Sequence, residues 1–265
     1  MLLRQFFCLS VGLLLSLPQA FAEDIQAAQE KGLAIAIEQD RRDQGWGDSA
    51  AELEMVLRRA NGKETVRRMR IKLLEVEGDG DKGLTIFDEP RDVQGTTFLS
   101  YSHALKPDDQ WIYLPKLRRT KRISSEGKRG RFMASEFTFE DMSSVQVEKY
   151  EYTFLREDTL ADQKVFVIEA TPKDEFSGYS KLVSYIDKDE YRTLKVEFYD
   201  LRGKHLKTMS MSEYEKYLDK YWRARELEMV NHQTGKSTVL AWKNYSFGAG
   251  LSESDFHQSV LERSR

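Results

Sequence analysis

Cysteine is nearly missing: the 265 residues hold one, Cys8, inside an apolar run near the N-terminus. The rest of the chain therefore has no disulfide and no thiolate chemistry, and an ordinary hydrophobic core must hold it together. Histidine is scarce too. His103, His205, His232 and His257 include no pair at metal-ligand spacing, which argues against a zinc site and reads each as a surface or strand residue. Neither charge sign dominates, with 41 Lys and Arg against 44 Asp and Glu, so wholesale nucleic-acid binding is excluded. Only 5 prolines occur and no Pro/Gly/Ser-rich linker or fixed-period repeat breaks the chain.

The N-terminus carries an export signal. Arg4 precedes an apolar stretch from Phe6 to Leu17, and Pro18-Gln19-Ala20-Phe21-Ala22 supplies small residues at the two positions a signal peptidase reads. The stretch is about 12 residues, short of the roughly 20 that a membrane-spanning helix needs. Cys8 lies within the stretch rather than at its end, the wrong place for a lipid-modified N-terminus. Residues 1–22 are expected to be removed, leaving a free protein that begins at Glu23 in the periplasm and folds as a single domain over residues 23–265.

Ile25 to Arg42 repeats small and apolar residues at helical spacing, with Ile25, Ala28, Gly32, Ile35 and Ala36 on one stripe before Gln44-Gly45-Trp46-Gly47 ends the pattern. From Ala51 the period becomes two. Leu53, Met55 and Leu57 alternate with charged residues, Asn61-Gly62 turns the chain, and Met69, Ile71 and Leu73 alternate again. The same grammar continues to Tyr245, with Leu194, Val196 and Phe198 set against Lys195 and Glu197. Ten or more strands in hairpin succession form one large antiparallel sheet. Strand twist accumulates, so the expected shape is mainly β: a strongly curved, unclosed half-barrel whose concave apolar face is covered by the N-terminal helix and short helices near Phe139 to Ser144 and Asp255 to Glu262, the last capped by Ser254. Two stacked sheets give the same pattern.

Catalytic apparatus is missing from the sequence. Gly235-Lys236-Ser237-Thr238 has Val230 where a phosphate-binding loop needs glycine, and Asp79-Gly80-Asp81-Lys82-Gly83 has Leu84 and Pro90 where a calcium loop needs glycine and glutamate. Both read as turns. No Gly-x-Ser-x-Gly elbow is present. Glu140-Asp141 is the most suggestive carboxylate pair, and a hydrolase acting on envelope glycans or lipids through it is a rival reading.

The richest segment is Asp108 to Met142. Trp111 and Tyr113 share one strand face, and between Lys116 and Arg131 stand eight basic residues (Lys116, Arg118, Arg119, Lys121, Arg122, Lys128, Arg129 and Arg131) against one acid, Glu126. In an otherwise acidic chain this is either a solvated loop or a contact for anionic lipid headgroups or an acidic partner.

Trp111-Ile-Tyr-Leu-Pro115, then Arg118-Arg-x-x-Arg-Ile-Ser124, then Phe132-Met-x-Ser-x-Phe-x-x-Glu-Asp141 resembles the outer-membrane lipoprotein-sorting protein family, the LolA-like relatives of the periplasmic lipoprotein carrier. The likeness runs on through Tyr150 to Leu155, Pro172-Lys173 and Phe198-Tyr-Asp-x-x-Gly203. It implies an unclosed half-barrel lidded by helices, an apolar cavity able to shelter acyl chains, and partnership with inner-membrane transporters of the resistance-nodulation-division type. The basic loop is longer than lipid shelter alone requires.

The residues agree with that implication. Met55, Met69, Ile71, Trp111, Tyr113, Phe137, Phe139, Tyr185, Val196 and Phe198 are large and partly adaptable, suited either to an irregular ligand or to a plain core. One acyl chain of about 14 carbons buried among them contributes on the order of 10 kcal/mol. The expectation is a non-enzymatic carrier or chaperone for lipoproteins or other lipidic cargo, with transient membrane contact and no cofactor. The alternative is a transporter's adaptor subunit that binds no lipid.

Overall fold

A computed structural model of the chain describes residues 17–263. Most of the expected signal segment, residues 1–16, lies outside them. The first element, α1 (Leu17–Asp43), begins ahead of the expected cleavage point, so the helix seen in the unprocessed chain is longer than the Ile25 to Arg42 stripe. Among the described residues no helix is long and apolar enough to cross a membrane.

Thirteen antiparallel strands follow: β1 (Asp48–Arg58), β2 (Glu64–Leu74), β3 (Lys82–Glu89), β4 (Thr97–Tyr101), β5 (Asp109–Leu114), β6 (Arg119–Arg122), β7 (Tyr150–Leu160), β8 (Gln163–Pro172), β9 (Lys181–Asp187), β10 (Thr193–Tyr199), β11 (His205–Tyr217), β12 (Tyr221–Asn231) and β13 (Lys236–Phe247). They form one sheet in the order β6-β5-β4-β3-β2-β1-β13-β12-β11-β10-β9-β8-β7. The chain thus meanders outward from β1 to one edge, crosses to the opposite edge, and meanders back until β13 pairs with β1, Met55 opposite Leu240. The sheet does not close, since β6 and β7 each have a single neighbour. This topology forces residues 123–149 to travel from edge to edge.

The face that carries the main core, called inner here, holds Leu53 and Met55 of β1, Met69, Phe87, Phe98, Ile112, Val196, Phe198, Met229 and Leu240. Helix α1 covers the part of this face made by β7 to β9, where Ile35 and Ala36 pack on Tyr152, Ile168, Ala170 and Ile186. Gly32 permits the approach: a Cβ there would lie 2.7 Å from the Phe154 nitrogen and 2.8 Å from the Thr153 carbonyl carbon. Residues 22–31, ahead of Gly32, are largely exposed, Ile25 included. At its far end Asp43 pairs with Arg223, and Glu75 accepts the Gly45 and Gly47 amides at 2.6 and 2.7 Å.

The outer face carries two smaller clusters. One packs Leu84, Ile86, Leu99 and Trp111 under Phe256 and Leu261 of the C-terminal segment; the other joins Val165, Val167, Val183 and Tyr185. That C-terminal segment forms two single helical turns, Glu253–Phe256 and Gln258–Val260. Ser252, not Ser254, caps the first, because Asp255 completes a reciprocal box with it. Leu194 also departs from expectation. A register shift between Thr193 and Lys195 breaks the alternation, so Leu194 packs with the outer cluster while Val196 and Phe198 face inward.

Candidate functional site

The inner face offers the apolar wall that the sequence promised, but it is not empty. Residues 130–142 cross it as a strap. Phe132 and Phe137 are fully buried in the core, with Met133, Phe139 and Met142 packed beside them. The Phe132 ring stands 5.1 Å from Phe98, 5.5 Å from Phe139 and 5.9 Å from Phe87. The strap has little regular structure. The Phe132 amide donates to Phe137 O at 2.7 Å and the Phe139 amide to Gly130 O at 3.0 Å, and at the tip Met133 and Ala134 hold φ of 49° and 62°. Left-handed backbone at two consecutive non-glycine residues is strained and persists only where surroundings enforce it.

The enforcement is polar and comes from five strands. Arg67 of β2 donates to Met133 O. Gln110 of β5 donates to Phe139 O at 2.8 Å and Ser143 Oγ at 3.0 Å. Asn231 of β12 donates to Glu136 at 2.9 Å, and Thr238 Oγ1 of β13 accepts the Glu136 amide at 2.9 Å. Lys207 of β11, with 2% of its side chain exposed, donates to Asp141 at 2.6 Å and to Glu136 O at 3.1 Å, between the Tyr179 and Phe198 rings. Tyr179 also donates to Asp141, at 2.7 Å, and burial together with that carboxylate pushes its phenol well above the usual tyrosine range.

Glu140 and Asp141, the candidate catalytic pair, point to different partners. Asp141 meets Lys207, whereas Glu140 accepts Ser177 Oγ at 2.5 Å and the Gly178 amide at 2.8 Å. Burial raises the Glu140 carboxyl. The cleft beside it, lined by Gln110, Lys128 and Asp174, has about 20 Å³, room for one water but not for a glycan or lipid. The two carboxylates fasten the strap at its exit.

Among the expected cargo-wall residues, Met55, Met69, Phe137, Val196 and Phe198 come together in one cluster with Phe139 against it. Ile71 follows two residues after Met69 on the same face and is half-buried. Trp111, Tyr113 and Tyr185 do not join them. Ile112 is the inward residue of its strand, which turns Trp111 and Tyr113 to the outer cluster, and Tyr185 packs with Val165 and Val183. Sequence reading missed Phe87, Phe98, Phe132, Met229 and Lys207; strand parity relative to Met55 and Met69 would have found Phe87 and Phe98.

The eight basic residues separate. Arg122 pairs with Asp109, Lys128 with Asp174 at 2.5 Å, and Arg131 with Glu136, while Arg129 donates to Glu175 O at 2.8 Å and Phe176 O at 2.9 Å. Lys116, Arg118, Arg119 and Lys121 stay exposed at the β6 edge.

One histidine expectation changes, while His205, His232 and His257 stay exposed. His103 is buried and clamps Asp79 at 2.7 Å, which holds that carboxyl down to about 2. His205 and His232 meet with ring centres 4.4 Å apart. No group of three or more His, Cys, Asp or Glu among the described residues is placed to hold a metal ion.

A family model described as an uncharacterized protein matches residues 79–263. The chain is similar to an outer membrane lipoprotein-sorting protein domain from Vibrio parahaemolyticus, with 56% identity over 89% of this chain and 100% of that one and a TM-score of 0.87. It is also similar to a DUF1329 family protein from Desulfovibrio piger, with 30% identity, 88% and 99% coverage and a TM-score of 0.83. A LolA superfamily protein from Nitrosomonas europaea shares the fold at 18% identity, covering 86% of this chain and 98% of that one, with a TM-score of 0.69. No curated protein matches.

Proposed function

Because the chain belongs to the outer membrane lipoprotein-sorting protein family, of which a DUF1329 protein is a relative, we propose that it is a periplasmic carrier or chaperone for lipoprotein acyl chains or other lipidic cargo. The reading is that of a binding protein and not an enzyme. Residues 1–22 direct export, and the cargo passes between inner and outer membranes. An inner-membrane transporter of the resistance-nodulation-division type is the proposed partner, on the strength of the family resemblance.

One observation carries the proposal: the main apolar cluster of the inner face is completed by an irregular strap rather than by a helix or a second sheet. Cargo would replace the strap. Burying Phe132, Phe137 and Phe139 contributes about 1.5–3 kcal/mol each, and one acyl chain of about 14 carbons contributes on the order of 10 kcal/mol, so the exchange is near balance. A carrier needs that balance, because it must release what it binds. Buried ion pairs such as Lys207–Asp141 add little net stability, since desolvation offsets their attraction. They set the strap's position without making it permanent.

The filled interior favours a second reading, the adaptor subunit that holds no lipid. Native mass spectrometry and lipid extraction of protein purified from periplasm decide between them. Co-purified acyl lipid, displaced by a fluorescent fatty acid, supports the carrier. Lipid-free protein that also ignores the fatty acid supports the adaptor.

A further inference from the structure

The unengaged half of the basic segment sits on an unusual piece of backbone. Lys116, Arg118, Arg119 and Lys121 are exposed and have no ion pair or side-chain hydrogen bond among the described residues, while the neighbouring cations are each engaged. Strand β6 is the last in the sheet on its side and pairs only with β5, Lys121 opposite Ile112 and Arg119 opposite Leu114. Ile123 donates to Gln110 O at 2.8 Å. Antiparallel bonding alternates, so Lys121 and Arg119 turn their backbone groups toward β5, and Thr120 and Arg122 turn theirs to the free edge.

An open edge is a template for another strand, and natural sheets usually defend it with charge. Here the charge is of one sign. It repels the same edge of a second copy and attracts a strand rich in Asp and Glu, although the net charge of the whole chain is −3. Leu117, 61% exposed between two of the cations, offers an apolar contact to the same visitor.

We propose that the free edge of β6 docks an acidic, extended segment of a partner protein, which adds to the sheet as a further strand. This deepens the partner-contact half of the proposed function and rests on it, while remaining independent of acyl binding. Backbone donors and acceptors on the edge favour a peptide over a bilayer, which has no use for them; the cations would supply selectivity and the edge would supply register.

The probe is a fluorescein-labelled octapeptide of alternating Glu and Val, titrated by anisotropy against the full mature protein at low salt, with a Lys-Val octapeptide as control. The Glu-Val peptide alone binds. Arg119→Glu with Lys121→Glu weakens it at least tenfold. Thr120→Pro, which removes an outward N–H and leaves every charge in place, also weakens it at least tenfold, because proline is tolerated at the solvent side of an edge strand but cannot donate. Both variants keep the wild-type melting temperature and the wild-type affinity for a fluorescent fatty acid, so failure here and failure of the carrier reading are separable. Three results overturn the proposal: Thr120→Pro binding the peptide like wild type, phosphatidylglycerol vesicles binding regardless of Thr120→Pro while the peptide does not bind, or concentration-dependent self-association abolished by Thr120→Pro, which assigns the edge to a second copy.

Discussion

Two covers lie on one inner face, and they are fastened by different physics. Helix α1 sits on β7 to β9 through small and branched apolar residues, with Gly32 against bare backbone and its polar contacts at the rim: Gln39 to Thr193 Oγ1 at 2.7 Å and Arg42 to Asp189 O at 2.8 Å. The strap sits on β1 to β5 and β10 to β13 through large rings and buried charge. Smooth packing over a regular helix has one good solution. The rings of the strap sit instead on a strained loop positioned by side chains from five strands. On the proposed function, the helix is the fixed wall and the strap is the part that cargo displaces.

The sharpest way to break that contrast is to remove the charge under the strap. Lys207→Met leaves Asp141 buried without its cation and is expected to cost about 3–5 kcal/mol, with the loss concentrated in residues 130–142 and the helix undisturbed. Adding Asp141→Asn removes the stranded charge and restores most of the loss. Chemical denaturation and amide exchange of the single and double variants measure both.

Next in size is the helix contact. Gly32→Val drives a branched side chain into the Thr153–Phe154 backbone, and overpacking of this kind costs about 2–3 kcal/mol. Here the pattern reverses: protease cleavage within residues 32–43 rises and the strap amides keep their protection.

The smallest effect depends on pH. Burial pushes the Asp81 carboxyl up to about 7, with Glu75 and Asp43 adding repulsion near the helix end. A carboxyl whose folded pKa exceeds its unfolded value of 3.8 stabilises the fold only while protonated, so this contribution is full below about 4 and is lost as pH rises to about 7. Asp81→Asn is expected to leave stability unchanged at pH 4 and to raise it at pH 8 by about 1–2 kcal/mol once solvent relaxation is allowed for. Thermal melts across that range show whether the wild-type slope disappears.

The sheet was legible because alternation is a local signal: Leu53, Met55, Met69 and Val196 carry it without help from distant residues. Helix α1 was legible for the same reason. The strap was not, because Phe132, Phe137 and Phe139 follow no period and their partners lie on strands far away in the chain. Lys207 reads as one more strand lysine until Asp141, 66 residues earlier, is seen to meet it. Trp111 and Tyr113 advertised themselves by size, yet size does not reveal which face of a strand is inward, and Ile112 holds the inner position. The basic run likewise looked uniform, since Asp174 and Glu175, which engage Lys128 and Arg129, come more than 40 residues later.

The central claim, that acyl cargo takes the strap's place on the inner face, is tested most directly by hydrogen exchange with and without saturating myristate. The account predicts faster exchange at the Phe132, Glu136 and Phe139 amides, which hold the strap together, and slower exchange at Met55 and Leu240 beneath it. Myristate bound with those three strap amides unchanged or slowed would contradict it.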